Sequence, residues 1–150
     1  AMFSDSLGSI EMAPPIFVEA GVTVKAAIDV MNHSRIGCIL IIDNGHLQGI
    51  FTERDVLTRV IPQGADIDQA LIDDFMTRGP ECLTTSDTLV QALNTMIVGG
   101  FRHVPILRGN KPIGVFGMRD CVGYIVGMHP DAVLTAPPPG TRPSFRPEGG

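Results

Sequence analysis

The sequence lacks any apolar run long enough to cross a bilayer. Its longest, residues 36–42, falls far short of the ~20 residues a spanning helix needs. It also lacks a recognisable secretory signal. Cysteine is scarce and odd in number: Cys38, Cys82 and Cys121 stand at no metal-ligand spacing. They read as reduced, buried thiols that act as small core hydrophobes, so the expected location is the cytoplasm. Positive charge is in deficit. The net charge of −5 argues against a general nucleic-acid binder. No Ser/His/Asp or Cys/His constellation, metal spacing or P-loop is found, so an enzyme is not expected.

What is present is a core-forming composition and a repeat. Of the 150 residues, 44% are hydrophobic, enough for one domain or for two small units that depend on each other. An ungapped offset of 65 residues sets Asp55 on Asp120, Thr23 on Thr88, Ala27 on Ala92 and Met31 on Met96. It also sets Ile41 on Ile106, Gly49 on Gly114, Phe51 on Phe116 and Arg54 on Arg119. Chance does not hold one register over residues 18–57. The reading is a first repeat at 10–60, a connecting segment at 61–77 and a second repeat at 78–128. The Pro- and Gly-rich tail, 129–150, cannot bury a core and is expected to be extended.

Each copy has one coarse order. Val24, Ala27, Ile28 and Met31 make one helical face, and Leu89, Ala92, Leu93 and Met96 repeat it. "GCILIID" and "LQGIF" read as strands around the turn "DNGH", and "TERDVLTRV" as a second helix. Copy two gives "RHVPILR", "PIGVF" and "MRDCVGYIV". Pro105 inside a strand implies an edge or a bulge. A short lead-in strand is expected near 16–18 and 81–83. The fold class is therefore α+β: two repeats, each a small sheet with flanking helices, packed sheet to sheet about a pseudo-twofold axis.

"GIFTERD" carries the site question. Thr52 and Asp55 fit a capping box, in which each side chain satisfies the other's amide. In copy two the motif is "GMRD". Gly117 removes the hydroxyl, yet Asp120 stays, so capping alone does not account for the acid. A helix start attracts phosphate, and an Asp near it can accept a ribose diol.

The doubled pattern of Gly, two hydrophobic residues, Thr-x-x-Asp, with a Met-ended helix before each copy, resembles the CBS domain pair. That family is named for cystathionine β-synthase and is also called the Bateman module. The resemblance covers about residues 10–126. It implies a regulatory binding module for adenosine-containing ligands (AMP, ADP, ATP or S-adenosylmethionine), with no cofactor in the enzymatic sense. It implies that Asp55 and Asp120 hold ribose hydroxyls and that Thr52 contacts phosphate, a role Gly117 cannot fill. It places adenine near Phe17, Gly37 and Cys38 in copy one, and near Cys82, Arg102 and His103 in copy two. Arg102 and His103 would reach phosphates held by the opposite repeat. The family habit implies a homodimer, and an unknown effector protein would read the state. The competing reading is a dimerisation scaffold with vestigial sites. Arg54 and Arg119 read as ion-pair partners across the repeat interface. Gly49 and Gly114 mark a close approach, by a ligand or by the other repeat.

Overall fold

The computed structural model describes residues 4–12 and 14–128; the tail read at 129–150 lies outside the described residues. The first repeat runs β1 (Phe17–Glu19), α1 (Val24–Ser34), β2 (Cys38–Asp43), β3 (His46–Thr52), α2 (Glu53–Asp55) and β4 (Thr77–Arg78). The second runs β5 (Leu83–Thr84), α3 (Leu89–Gly99), β6 (His103–Arg108), β7 (Lys111–Gly117) and α4 (Met118–Met128).

Capping chemistry starts the long helices. The Thr23 hydroxyl accepts the Ala26 amide ahead of α1. Thr88 and Gln91 form a reciprocal capping box ahead of α3. The helices bury the faces their spacing predicts: Val24, Ala27 and Met31 on α1, and Leu89, Ala92 and Met96 on α3. Each is followed by an antiparallel hairpin, β2–β3 or β6–β7, with the same register and the same irregularity. The shift falls between Ile41 and Ile42 in one and between Ile106 and Leu107 in the other.

The sheets have the orders β1-β2-β3-β4 and β5-β6-β7, and they meet along β3 and β7. β1 joins β2 in parallel over three pairs, starting at Phe17 with Leu40, whereas β5 joins β6 over two, starting at Leu83 with Ile106. Pro105 explains the difference. The Leu40 amide donates to the Ile16 carbonyl, and Pro105, its counterpart, has no amide to give. The ladder therefore opens one residue later, and β6 is locally an edge at Pro105.

The repeat extends further than its identities. A single 3₁₀ turn, Leu7–Ser9, has its counterpart at the same offset in Ile72–Asp74. Each turn docks on the other repeat. Ile72, Phe75 and Met76 join the core of Val18, Val24, Ile39 and Phe51. Leu7 and Ile10 join the core of Leu89, Met96, Val104 and Phe116. Two isolated bridges, Thr23 to Leu71 and Ser6 to Thr88, are the same contact seen twice. The units thus exchange their lead-in segments across the pseudo-twofold axis. No helix among the described residues is long and apolar enough to cross a membrane.

One element departs from the sequence reading. "TERDVLTRV" does not continue as an α-helix: α2 makes one turn and Val56–Val60 is π-helical. The Thr58 hydroxyl donates to the Arg54 carbonyl, and the Ile61 amide reaches the Val56 carbonyl at 2.9 Å. This wider turn carries Arg59 back over the edge strand β4.

Candidate functional site

The end of β3 delivers Thr52 and the start of α2 delivers Asp55. The capping box between them is complete. Asp55 Oδ2 accepts the Thr52 amide at 2.9 Å, and Thr52 Oγ1 accepts the Asp55 amide at 3.3 Å. The Thr52 hydroxyl proton is also turned to Asp55 Oδ2, at 3.3 Å. Asp55 Oδ1 is left with Arg59 Nη1 at 3.9 Å. Arg59 is fixed in turn by the Phe75 carbonyl at 3.0 Å. One carboxylate oxygen is spent on structure and the other is held in place, unsatisfied by any short bond.

In the second repeat half of this box survives. The Gly117 amide donates to Asp120 Oδ2 at 2.7 Å. The structural role of Asp120 therefore outlives the loss of the Thr hydroxyl.

A cleft of about 240 Å³ opens beside Asp55. The first repeat contributes Ile50, Thr52, Arg54 and Asp55, and β4 with the segment after it contributes Thr77 to Glu81, Arg78 excepted. The far wall is Gly100, Phe101, Arg102 and His103, where α3 turns into β6. Gly100 makes that turn in the left-handed region at φ 72°. Gly99 leaves room for the Phe101 ring, which occupies the place a Cβ would take.

Thus Thr52, Asp55, Arg102 and His103, from opposite repeats, share one cleft. Phe17, Gly37, Cys38, Cys82 and Asp120 do not line it. Phe17 is exposed on β1. Cys38 faces Thr52 across the hairpin, and Cys82 Sγ donates to the Pro80 carbonyl at 3.3 Å. Gly37, Cys38 and Asp120 occupy the positions related to the cleft by the pseudo-twofold axis. All three cysteines are free thiols; burial pushes Cys38 up to about 12 and Cys121 up to about 11.

Arg54, read from the sequence as an ion-pair partner across the repeat interface, instead lines the cleft and makes no ion pair among the described residues. Phe101 was missed. Its signal was the pair of glycines before it, which free an aromatic ring to lie against the chain. The stretch from Thr77 to Glu81 spans the end of the connecting segment and the start of the second repeat, and its sequence carries no motif that would mark it as a wall.

The electrostatics separate the acid from the base. Burial raises Asp55, against the Thr52 hydrogen bonds and the Arg59 and Arg54 charges that lower it. Burial lowers His103, opposed by Asp120 and reinforced by Arg102. His103 Nδ1 is sealed from solvent without a hydrogen-bond partner. The cleft therefore offers a constrained acceptor, Asp55, with Arg54 beside it, and one guanidinium and one imidazole, Arg102 and His103, on the far wall. Among the described residues no group of His, Cys, Asp and Glu could hold a metal.

Comparison with known proteins agrees with this architecture. The CBS domain family model matches residues 7–62 and 72–127. The CBS domain-containing protein CBSCBSPB3 of Arabidopsis thaliana is 32% identical over 114 residues, or 75% of this chain. The match spans 20% of that relative's length, about a fifth. A CBS-domain-containing protein of Agrobacterium tumefaciens has a similar structure, with a TM-score of 0.69 at 29% identity. That match covers 74% of this chain and 84% of the other. A CBS domain protein of Pyrobaculum aerophilum, solved in complex with AMP, has a TM-score of 0.70 at 21% identity, covering 77% and 88% of the two chains. CBS-domain proteins are generally regulatory modules rather than enzymes. With both matched segments coinciding with the two exchanged units, the chain belongs to the CBS domain family, as a tandem pair of its repeats.

Proposed function

We propose that the cleft binds an adenosine-containing nucleotide (AMP, ADP, ATP or S-adenosylmethionine) and that the pair passes its occupancy to an effector protein or through its own dimer. The observation that carries this reading is the pairing of Asp55 with Arg102 and His103 across one cleft. Asp55 Oδ1 is positioned to accept a sugar hydroxyl. Arg54, Arg102 and His103 are positioned for the phosphate end. Phe101 offers an aromatic edge to a base. The AMP complex of the Pyrobaculum neighbour supports the same ligand class. Thr52 is less free than the family pattern implies, since its hydroxyl already serves the capping box.

A thermal-shift titration tests it. At ligand a hundredfold above its dissociation constant, binding adds about 2.7 kcal/mol, a rise of about 5 °C for a domain of this size. No shift with millimolar AMP, ADP, ATP or S-adenosylmethionine overturns the reading.

A dimerisation role is favoured by a separate observation. Leu57 and Ile61 beside α2, Val90, Ile97 and Val98 on α3, and Val122 on α4 are 51–78% exposed. Helices that present such side chains in several places gain by covering them with a second copy. Light scattering at high micromolar concentration should give a dimer; a monomer with and without nucleotide refutes it.

A further inference from the structure

His103 belongs to two places at once. It lines the cleft that holds Asp55, and it lies directly across the hairpin from Gly117. Its Cδ2 stands 3.4 Å from the point a Gly117 Cβ would occupy, and Asp120 Oδ2 stands 3.3 Å from the same point. The opposite edge of the ring carries Nδ1 into a sealed position with no partner. A protonated Nδ1 would leave a charged donor unpaired there, and the penalty of about 1–3 kcal/mol for an unpaired buried polar group is larger when the group is charged. The geometry therefore suits a neutral ring. A half-turn about χ2 exchanges the two edges. It puts Nδ1 on the edge that faces Gly117, where the charge of Asp120 favours a proton, and a carbon in the sealed position, which suits a charged ring.

We propose that His103 takes up a proton when a phosphate enters the cleft, so that nucleotide binding strengthens as pH falls. The proposal rests on the nucleotide reading of the cleft. The charges facing His103 decide the sign. Arg102, its neighbour on β6, and burial oppose the imidazolium, whereas Asp120 at the start of α4 favours it. The other charged groups lining the cleft are Arg54 and Asp55 from α2, and Glu81 from the segment entering β5. Without ligand the opposing influences prevail and the ring is neutral near pH 7. A phosphate placed against Arg102 adds negative charge on the cleft side and offsets the Arg102 repulsion. The proton then comes from solvent, binds the free ring nitrogen and stays while the phosphate stays.

Calorimetry on the intact chain with AMP, comparing wild type with His103→Gln, tests this. The ratio of wild-type to variant affinity should be about threefold or more larger near pH 6 than near pH 8. Adenosine, which has no phosphate, should show no such change. AMP has its own second ionisation near pH 6, but that contribution is common to both proteins and cancels in the ratio. Should the variant not fold, wild type alone decides, through heats measured in buffers of different ionisation enthalpy. Net proton uptake on binding AMP near pH 7 supports the proposal, since a cationic cleft that merely selects the phosphate dianion would release protons. A ratio constant with pH, or proton release by wild type, overturns it. Failure of wild type to bind AMP at any pH overturns the nucleotide reading itself.

Discussion

Gly49 exists for Met76. A Cβ at Gly49 would lie 2.6 Å from Met76 Sδ and 2.8 Å from the Thr77 carbonyl oxygen, because β4 pairs Gly49 with Arg78 as it crosses the edge of the first sheet. The close approach read from the recurring glycine is made here by the chain itself. Gly49→Ala should overpack this seam by about 1–3 kcal/mol, lowering the melting temperature by about 5 °C. Gly37→Ala is the control. The nearest atoms there belong to the Glu53 carboxyl, at 3.3–3.5 Å, the free end of a side chain that can move. Circular dichroism melts of the two variants should differ clearly; equal melts refute the packing role of Gly49.

The helices, hairpins and doubled acid were legible because each rests on local periodicity or on a turn signal. The exchange of lead-in segments was not. Leu7–Ser9 and Ile72–Asp74 share only a buried aliphatic residue at their first position. What makes them equivalent is their contact with residues remote in sequence. The site was half legible for the same reason. Asp55 and Thr52 sit in a motif, and Arg102 and His103 open a strand, but Phe101 and the stretch from Thr77 to Glu81 acquire their role only from the crossing of the chain. The Arg54 reading failed because helical position fixes the direction of a side chain without fixing what it meets.

The exchange has a direct consequence. Leu7 is fully buried in the second repeat's core, and its segment is fastened there by backbone bonds to Asp87 and Thr85 and by Tyr124 Oη donating to Asp5 Oδ2 at 2.5 Å. Leu7→Ala should cost about 2–5 kcal/mol, as a core truncation does. Tyr124→Phe, which removes one hydrogen bond at a solvent-accessible hydroxyl, should cost much less. Denaturant unfolding distinguishes the two. A surface-like loss below about 0.5 kcal/mol for Leu7→Ala would show that the segment is not part of that core.

Asp55 should trade stability for binding. Its folded carboxyl is raised by burial, so the fold disfavours its charge. The stability it contributes is present below its unfolded pKa and is lost as pH rises through the folded one. Near neutral pH the charge is a net cost. Asparagine keeps an acceptor for the Thr52 amide and removes that cost. Asp55→Asn, free of ligand, should melt at or above wild type near pH 7, by about 2 °C. The gap should close as the solution is made acidic, and the nucleotide-induced shift should be lost. A variant that melts well below wild type at neutral pH would show that the carboxylate is chiefly structural.

The two related sites should be unequal, with the Asp55 site the stronger. Its cleft receives Arg102 and His103 from the opposite repeat, and the equivalent positions for a ligand at Asp120 are Gly37 and Cys38. Gly37 moreover lies against the Glu53 carboxyl, so a negative side chain stands near the place where the first site has a cation. Gly117 also replaces Thr52. Each hydrogen bond to a charged group contributes about 1.5–3 kcal/mol, so the loss of even one weakens binding about tenfold or more. Asp55→Ala should remove most of the tight binding and Asp120→Ala much less. Arg102→Ala should weaken AMP by about tenfold or more while barely affecting adenosine. Titration calorimetry on the three variants measures all of this. If Asp120→Ala abolishes binding and Asp55→Ala binds normally, Arg102 and His103 serve their own repeat and the assignment across the axis is wrong.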